Sequence, residues 1–94
     1  MAEIALTGWI EIPEAEQQRL LPLLAEHVRL TLAEPGCVAF AVTPGPDDPG
    51  RFDVAERFRD RAALEAHRRR AGDSAWGAAT RHLARSYRIL ETGR

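Results

Sequence analysis

Between Glu3 and Ile12, Ile4, Leu6, Gly8, Ile10 and Ile12 alternate with Ala5, Thr7, Trp9 and Glu11, the period-two spacing of a strand. The second face carries Trp9, so neither side of the strand is written for water alone. Pro13 suits a first helical turn, and Glu14 and Glu16 complement the positive end of the helix dipole there. At about 100° per residue, Leu20, Leu21, Leu23, Leu24, Val28, Leu30 and Leu32 share a broad arc opposite Gln18, Arg19, Glu26 and Arg29. That spacing predicts a core-facing helix. Pro22 falls on its solvent side, where a kink or a fresh start is the expected effect. Glu34-Pro35-Gly36 reads as a stop, because Pro cannot continue a helix and Gly can take the left-handed conformation that closes one.

Val38, Phe40 and Val42 then alternate with Cys37, Ala39, Ala41 and Thr43, a second strand with small residues on one face. The turn formers from Pro44 to Gly50 lead into a third strand, with Phe52, Val54, Glu56 and Phe58 on one face and Asp53, Ala55 and Arg57 on the other. The two strands are expected to form a hairpin. Asp60 is a good N-cap for a helix to about Ala71, and Asp73 or Ser74 for another to about Arg85, with Gly72 between them. A last strand follows, in which Tyr87, Ile89 and Glu91 alternate with Ser86, Arg88 and Leu90 before a short polar tail. The order β-α-β-β-α-β, second helix split, is the α+β ferredoxin-like arrangement: an antiparallel sheet with helices on one face. Trp9, Ala39, Ala41 and Ala55 then fall on the bare face and are too apolar for solvent, so an identical subunit is expected to cover them.

Composition narrows the classes. Ninety-four residues are expected to form a single domain spanning 1–94, and a hydrophobic fraction of 45% with 29% charged residues suits a packed, water-exposed fold rather than disorder. A formal net charge of −1 argues against nucleic acid or an anionic membrane as the main partner. The start Met1-Ala2-Glu3 has no basic n-region or apolar h-region, and no run approaches a membrane span, so a cytoplasmic location is expected. The single Cys37 cannot form an internal disulfide, which leaves packing and a partner subunit to stabilise so small a chain.

Glu56 is the sharpest local anomaly, a carboxyl on the same strand face as Phe52, Val54 and Phe58, where it needs a partner. It reads either as a structural carboxylate held by an Arg or His, or as part of a catalytic set. His67 lies near Leu64 and Ala71 in helical phase and so points inward. An imidazole there can take a phenolic proton near neutral pH, or can be a core histidine satisfied by a carbonyl or by Glu56. His27 makes a polar spot with Thr31 among the leucines of the first helix, as a pocket lining or a buried hydrogen bond. Trp76 either caps a substrate or fills the core. His82 looks peripheral, and Arg68-Arg69-Arg70 reads as a solvated helix face. The three histidines have no His-x-x-x-His spacing and there is no Cys cluster, so no metal is expected. No Gly-x-Gly-x-x-Gly or Gly-Lys-Ser/Thr loop supports a nucleotide or flavin cofactor, and none is expected.

Glu34-Pro35-Gly36-Cys37, the Pro/Asp-rich hairpin, and Glu56-Arg57-Phe58-x-Asp60 running into Ala63-Leu64-x-Ala66-His67 together resemble the antibiotic biosynthesis monooxygenase superfamily over nearly the whole chain. That superfamily includes quinol monooxygenases and haem-degrading enzymes, and the resemblance implies a homodimeric α/β barrel with a pocket between sheet and helices. The chain contains no Asn, which departs from the Asn-Trp-His set of the haem-degrading members, and Phe58 stands where the pattern has Trp. The implied activity is a cofactor-independent monooxygenase acting on a quinol or polycyclic dihydroxyaromatic. In it His67 is the base, Glu56 its orienting or tuning partner, Phe58 and Trp76 the walls, and His27 a further pocket residue. The alternatives are a non-catalytic dimer that binds a small apolar ligand, and a non-oxidative enzyme such as an isomerase.

Overall fold

The computed structural model describes residues 3–92; Met1-Ala2 and the polar tail at 93–94 lie outside them. Seven elements follow in order: β1 (Glu3–Glu11), α1 (Glu14–Leu32), β2 (Cys37–Pro44), β3 (Arg51–Phe58), α2 (Arg61–Gly72), α3 (Ala75–Thr80) and β4 (Arg85–Thr92). The four strands form one antiparallel sheet in the order β2-β3-β1-β4. This is the ferredoxin-like arrangement with its second helix in two pieces. Among the described residues no helix is long and apolar enough to cross a membrane.

Strand parity sorts the side chains as the alternation requires. Ile4, Leu6 and Ile10 of β1 and Phe52, Val54, Glu56 and Phe58 of β3 are buried beneath the helices. The apolar core falls into two clusters: Ile10, Ile12, Leu20, Leu24, Phe52, Val54, Trp76 and Leu83 at one end, and Ile4, Leu6, Phe58 and Leu64 at the other. Glu56 and both helical histidines sit among them.

In four places the chain departs from its pattern. The buried line of α1 runs through Leu20, Leu24, His27 and Thr31, whereas Leu21 and Leu32 are exposed, because the helix contacts the sheet along a narrower stripe than the leucine arc. The helix passes through Pro22, whose ring lies exposed on the outer side. In β2 a bulge between Cys37 and Ala39 inserts Val38 against β3; Cys37 pairs with Phe58 and packs on the inner cluster, while Val38 is exposed. Finally, α3 ends at Thr80, so Leu83 reaches the core from a turn rather than from a helix.

Gly36 also serves a different end from the expected one. Its backbone is not in the left-handed region, and α1 closes at Ala33 instead, whose N–H returns to Arg29. A Cβ on Gly36 would meet the Ala63 methyl at 2.4 Å. The glycine therefore lets the turn after α1 lie directly on α2.

Candidate functional site

That close approach assembles the site. Ala63 and His67 are one helical turn apart on α2, so the turn resting on Ala63 brings Glu34 up to the His67 ring. Both Glu34 oxygens lie 3.2 Å from His67 Nδ1. Arg70, in the last turn of α2, donates Nε to the same carboxylate at 2.5 Å and a second N–H to Thr31 Oγ1 at 2.9 Å. Thr31 in turn donates to the His27 carbonyl. Glu34 and Arg70 thus tie the end of α1 to α2, and Arg70 is half-buried rather than part of a solvated face.

A carboxylate only accepts, so the contact with Glu34 places the imidazole proton on Nδ1 and leaves the Nε2 lone pair free. Nε2 faces Glu56 Oε1 at 3.8 Å, beyond hydrogen-bond length, and Oε1 is buried with no partner. His67 and Glu56 are 6% and 7% exposed. Burial lowers the His67 pKa below 6.5, opposed by the Glu34 carboxylate and reinforced by Arg70 and Arg68. Burial lifts the Glu56 carboxyl to about 7, with Arg68 working against the rise and Glu34 adding to it. Near neutral pH the array therefore holds a neutral imidazole beside a carboxyl that is close to its own midpoint.

His67 and Glu56 line an open cavity of about 280 Å³, together with His27, Trp76, Leu64 and Tyr87. His27 of α1 stacks on Trp76 of α3 at 5.7 Å between centroids, 18° from parallel, and meets Phe40 edge-on. Its Nδ1 is buried without a partner, and desolvation, helped by the nearby His67 and Arg70 charges, lowers its pKa to about 4. α3 is placed by Ser74, whose hydroxyl accepts from Gly77 N–H and donates to the Ala71 carbonyl. Asp60 caps α2, its carboxylate accepting from Ala63 N–H.

Of the residues singled out from the sequence, His67, Glu56, His27 and Trp76 meet at this cavity. Phe58 does not line it: the ring is fully buried and lies under the His67 imidazole, 4.9 Å between centroids, as a backing rather than a wall. Trp9 faces the open side of the sheet, with the Arg51 guanidinium 4.1 Å over its ring. His82 is exposed and meets Glu16 at 2.9 Å, away from the cavity. Sequence reasoning missed Glu34, which it read only as a helix stop, and Arg70. A carboxylate retained at the end of α1 beside a Pro-Gly turn was the available signal, but its partner depends on how the turn packs. Among the described residues no cluster of His, Cys, Asp and Glu could hold a metal ion.

Comparison with known proteins agrees with this architecture. The sequence profile of the antibiotic biosynthesis monooxygenase family matches residues 4–81. No curated protein matches the sequence. The fold is similar to candidate antibiotic biosynthesis monooxygenases of known structure. One from Deinococcus radiodurans superimposes with a TM-score of 0.78 at 19% identity, covering 97% of this chain and 93% of the other. One from Caulobacter crescentus gives 0.78 at 18% identity, covering 99% and 92%. One from Nitrosomonas europaea gives 0.77 at 18% identity, covering 96% and 89%. Identities this low carry the fold and not the substrate. With the profile spanning most of its length, the chain belongs to the antibiotic biosynthesis monooxygenase family.

Proposed function

We propose that the protein is a cofactor-independent monooxygenase acting on a quinol or polycyclic dihydroxyaromatic. The observation that carries this reading is the His67 imidazole, held through Nδ1 by Glu34 with its Nε2 lone pair turned toward Glu56 at the cavity. Nε2 takes a phenolic proton from the bound substrate. The resulting anion is electron-rich enough to reduce O2 directly, and for a quinol the balance is quinol plus O2 to hydroxyquinone plus water. Glu56 lies next to Nε2 and takes up or returns that proton as oxygen is reduced. Trp76 and Leu64 supply apolar walls against which an aromatic ring can lie. Proton abstraction needs neutral His67, and its lowered pKa keeps it neutral at pH 7.

The same reading makes the protein a homodimer, the open sheet face being the surface that pairs. Ala39, Ala41, Ala55 and Leu90 are exposed there, a self-complementary patch of small and apolar side chains.

The test is oxygen uptake by purified, chelator-treated protein with a panel of naphthohydroquinones. His67→Ala lowers the rate by about 10²–10⁴-fold, the usual contribution of a positioned base. Glu34→Ala lowers kcat by about 10- to 100-fold, the equivalent of one charge-assisted hydrogen bond, and Glu34→Gln, which can still accept from Nδ1, recovers part of the loss. Full activity in His67→Ala overturns the base assignment. No uptake with any quinol, alongside tight binding of an apolar aromatic, transfers the cavity to a binding role.

A further inference from the structure

The cavity has a second chemical character that the proton-transfer array does not use. Three arginines line it: Arg68 from α2, Arg81 just after α3, and Arg85 at the start of β4. Arg81 donates to the Gly72 carbonyl at 2.9 Å, and Arg85 donates to the carbonyls of Thr80 and Leu83. These bonds fix the guanidinium groups in place and leave their charge uncancelled. Among the described residues neither Arg81 nor Arg85 has a carboxylate partner, and Arg68 meets Glu65 at 3.8 Å, both side chains half exposed, and acts on Glu56 from a longer distance. Glu56 is the one acidic residue lining the cavity, so the carboxylates there are fewer than the cations they face. Each guanidinium keeps free N–H donors in a planar fork that matches a carboxylate. Apolar or aromatic side chains line the same cavity: Leu6, Leu64, Ala71 and Trp76. A volume of about 280 Å³ lies near the low end of ligand pockets, roughly 300–1,000 Å³, which suits one or two fused rings.

We infer that the substrate is an acidic aromatic, its phenolic ring directed at His67 and a ring carboxylate held by the arginine rim of Arg68, Arg81 and Arg85. This rests on the reading of the cavity as a phenol- or quinol-binding site and names the substrate class within it. The carboxylate would also fix which ring carbon is presented, because two anchors separated across a flat ring remove its freedom to rotate.

Titration calorimetry with a pair of stable probes, 1-naphthol and 1-hydroxy-2-naphthoate, tests the inference, since they differ only by the carboxylate. The naphthoate is expected to bind about tenfold or more tightly, with a preference that shrinks as salt is raised. Arg68→Gln, at an exposed position with no bond to the backbone, reduces that preference severalfold, and Arg68→Gln with Arg81→Gln reduces it further, to what Arg85 alone supplies. Should the double variant fail to fold, as judged by circular dichroism, the single variant still decides. Equal affinity for the two probes overturns the acidic-substrate inference and leaves the monooxygenase reading intact. A preference that is undiminished in Arg68→Gln and in the double variant overturns the arginine rim as its cause. Binding of neither probe overturns both readings.

Discussion

Glu56 and His27 carry opposite pH signatures, and each can be checked alone. Burial raises the Glu56 carboxyl from 4.5 to about 7, so between those values the folded protein keeps a proton that the unfolded chain releases. Stability therefore falls as pH rises through that window and stays low above it, by on the order of 3 kcal/mol. Glu56→Gln should be more stable than the parent at pH 8 and gain little at pH 4, read from urea midpoints. For His27, lowered from 6.5 to about 4, the unfolded chain takes a proton that the folded state refuses. Stability is lost as pH drops through that window, and His27→Phe, which leaves no buried Nδ1 unpartnered, should flatten the acid limb. Equal pH profiles in parent and variant would show that neither group is desolvated as described. Both residues were legible in the sequence, because strand parity and helical phase place a side chain without reference to the rest of the molecule. Glu34 was not, since its contact with His67 is set by how close two elements approach.

That approach depends on Gly36. In Gly36→Ala the new methyl would meet Ala63, so the turn must lift from α2, with an expected cost of about 1–3 kcal/mol from overpacking. The shift should also separate Glu34 from His67, so the variant ought to lose activity beyond what its lower stability explains. Measurement well below its melting temperature tells the two apart, and unchanged kcat there would show that Glu34 tolerates displacement. The order of elements was readable because alternation, helical period and the Pro/Gly turns all point the same way. The bulge at Val38 was not, since an extra residue in β2 leaves the alternation of single positions looking regular while changing which face Cys37 takes. The early end of α3 at Thr80 escaped for a related reason: Leu83 keeps helical spacing to Trp76 yet reaches the core from a turn.

For the molecule as a whole, the helices cover one side of the sheet, and the other side is left with Ala39, Ala41, Ala55 and Leu90 exposed around Trp9. The proposed dimer should appear in light scattering at micromolar concentration as about twice the 10.4 kDa chain. Trp9→Glu should shift it toward monomer, because a new carboxylate would be desolvated in the contact. A parent that stays monomeric, or a Trp9→Glu dimer as tight as the parent, would place the interface elsewhere. The open face was legible only in outline: alternation showed that Trp9 points away from the helices, but not that Arg51 would stack on it.

The stacking of His27 on Trp76 also makes the protein its own optical probe. The chain has two indoles, one over the cavity against an imidazole and the other on the open sheet face under a guanidinium. A protonated imidazole quenches indole emission, so Trp76 should dim as His27 takes its proton near pH 4, and should respond to an aromatic seated beside it. Trp9 should follow dilution and self-association instead. Replacing either indole by Phe would then separate two events, occupancy of the cavity and pairing of the sheets, that a single emission trace of the parent would merge.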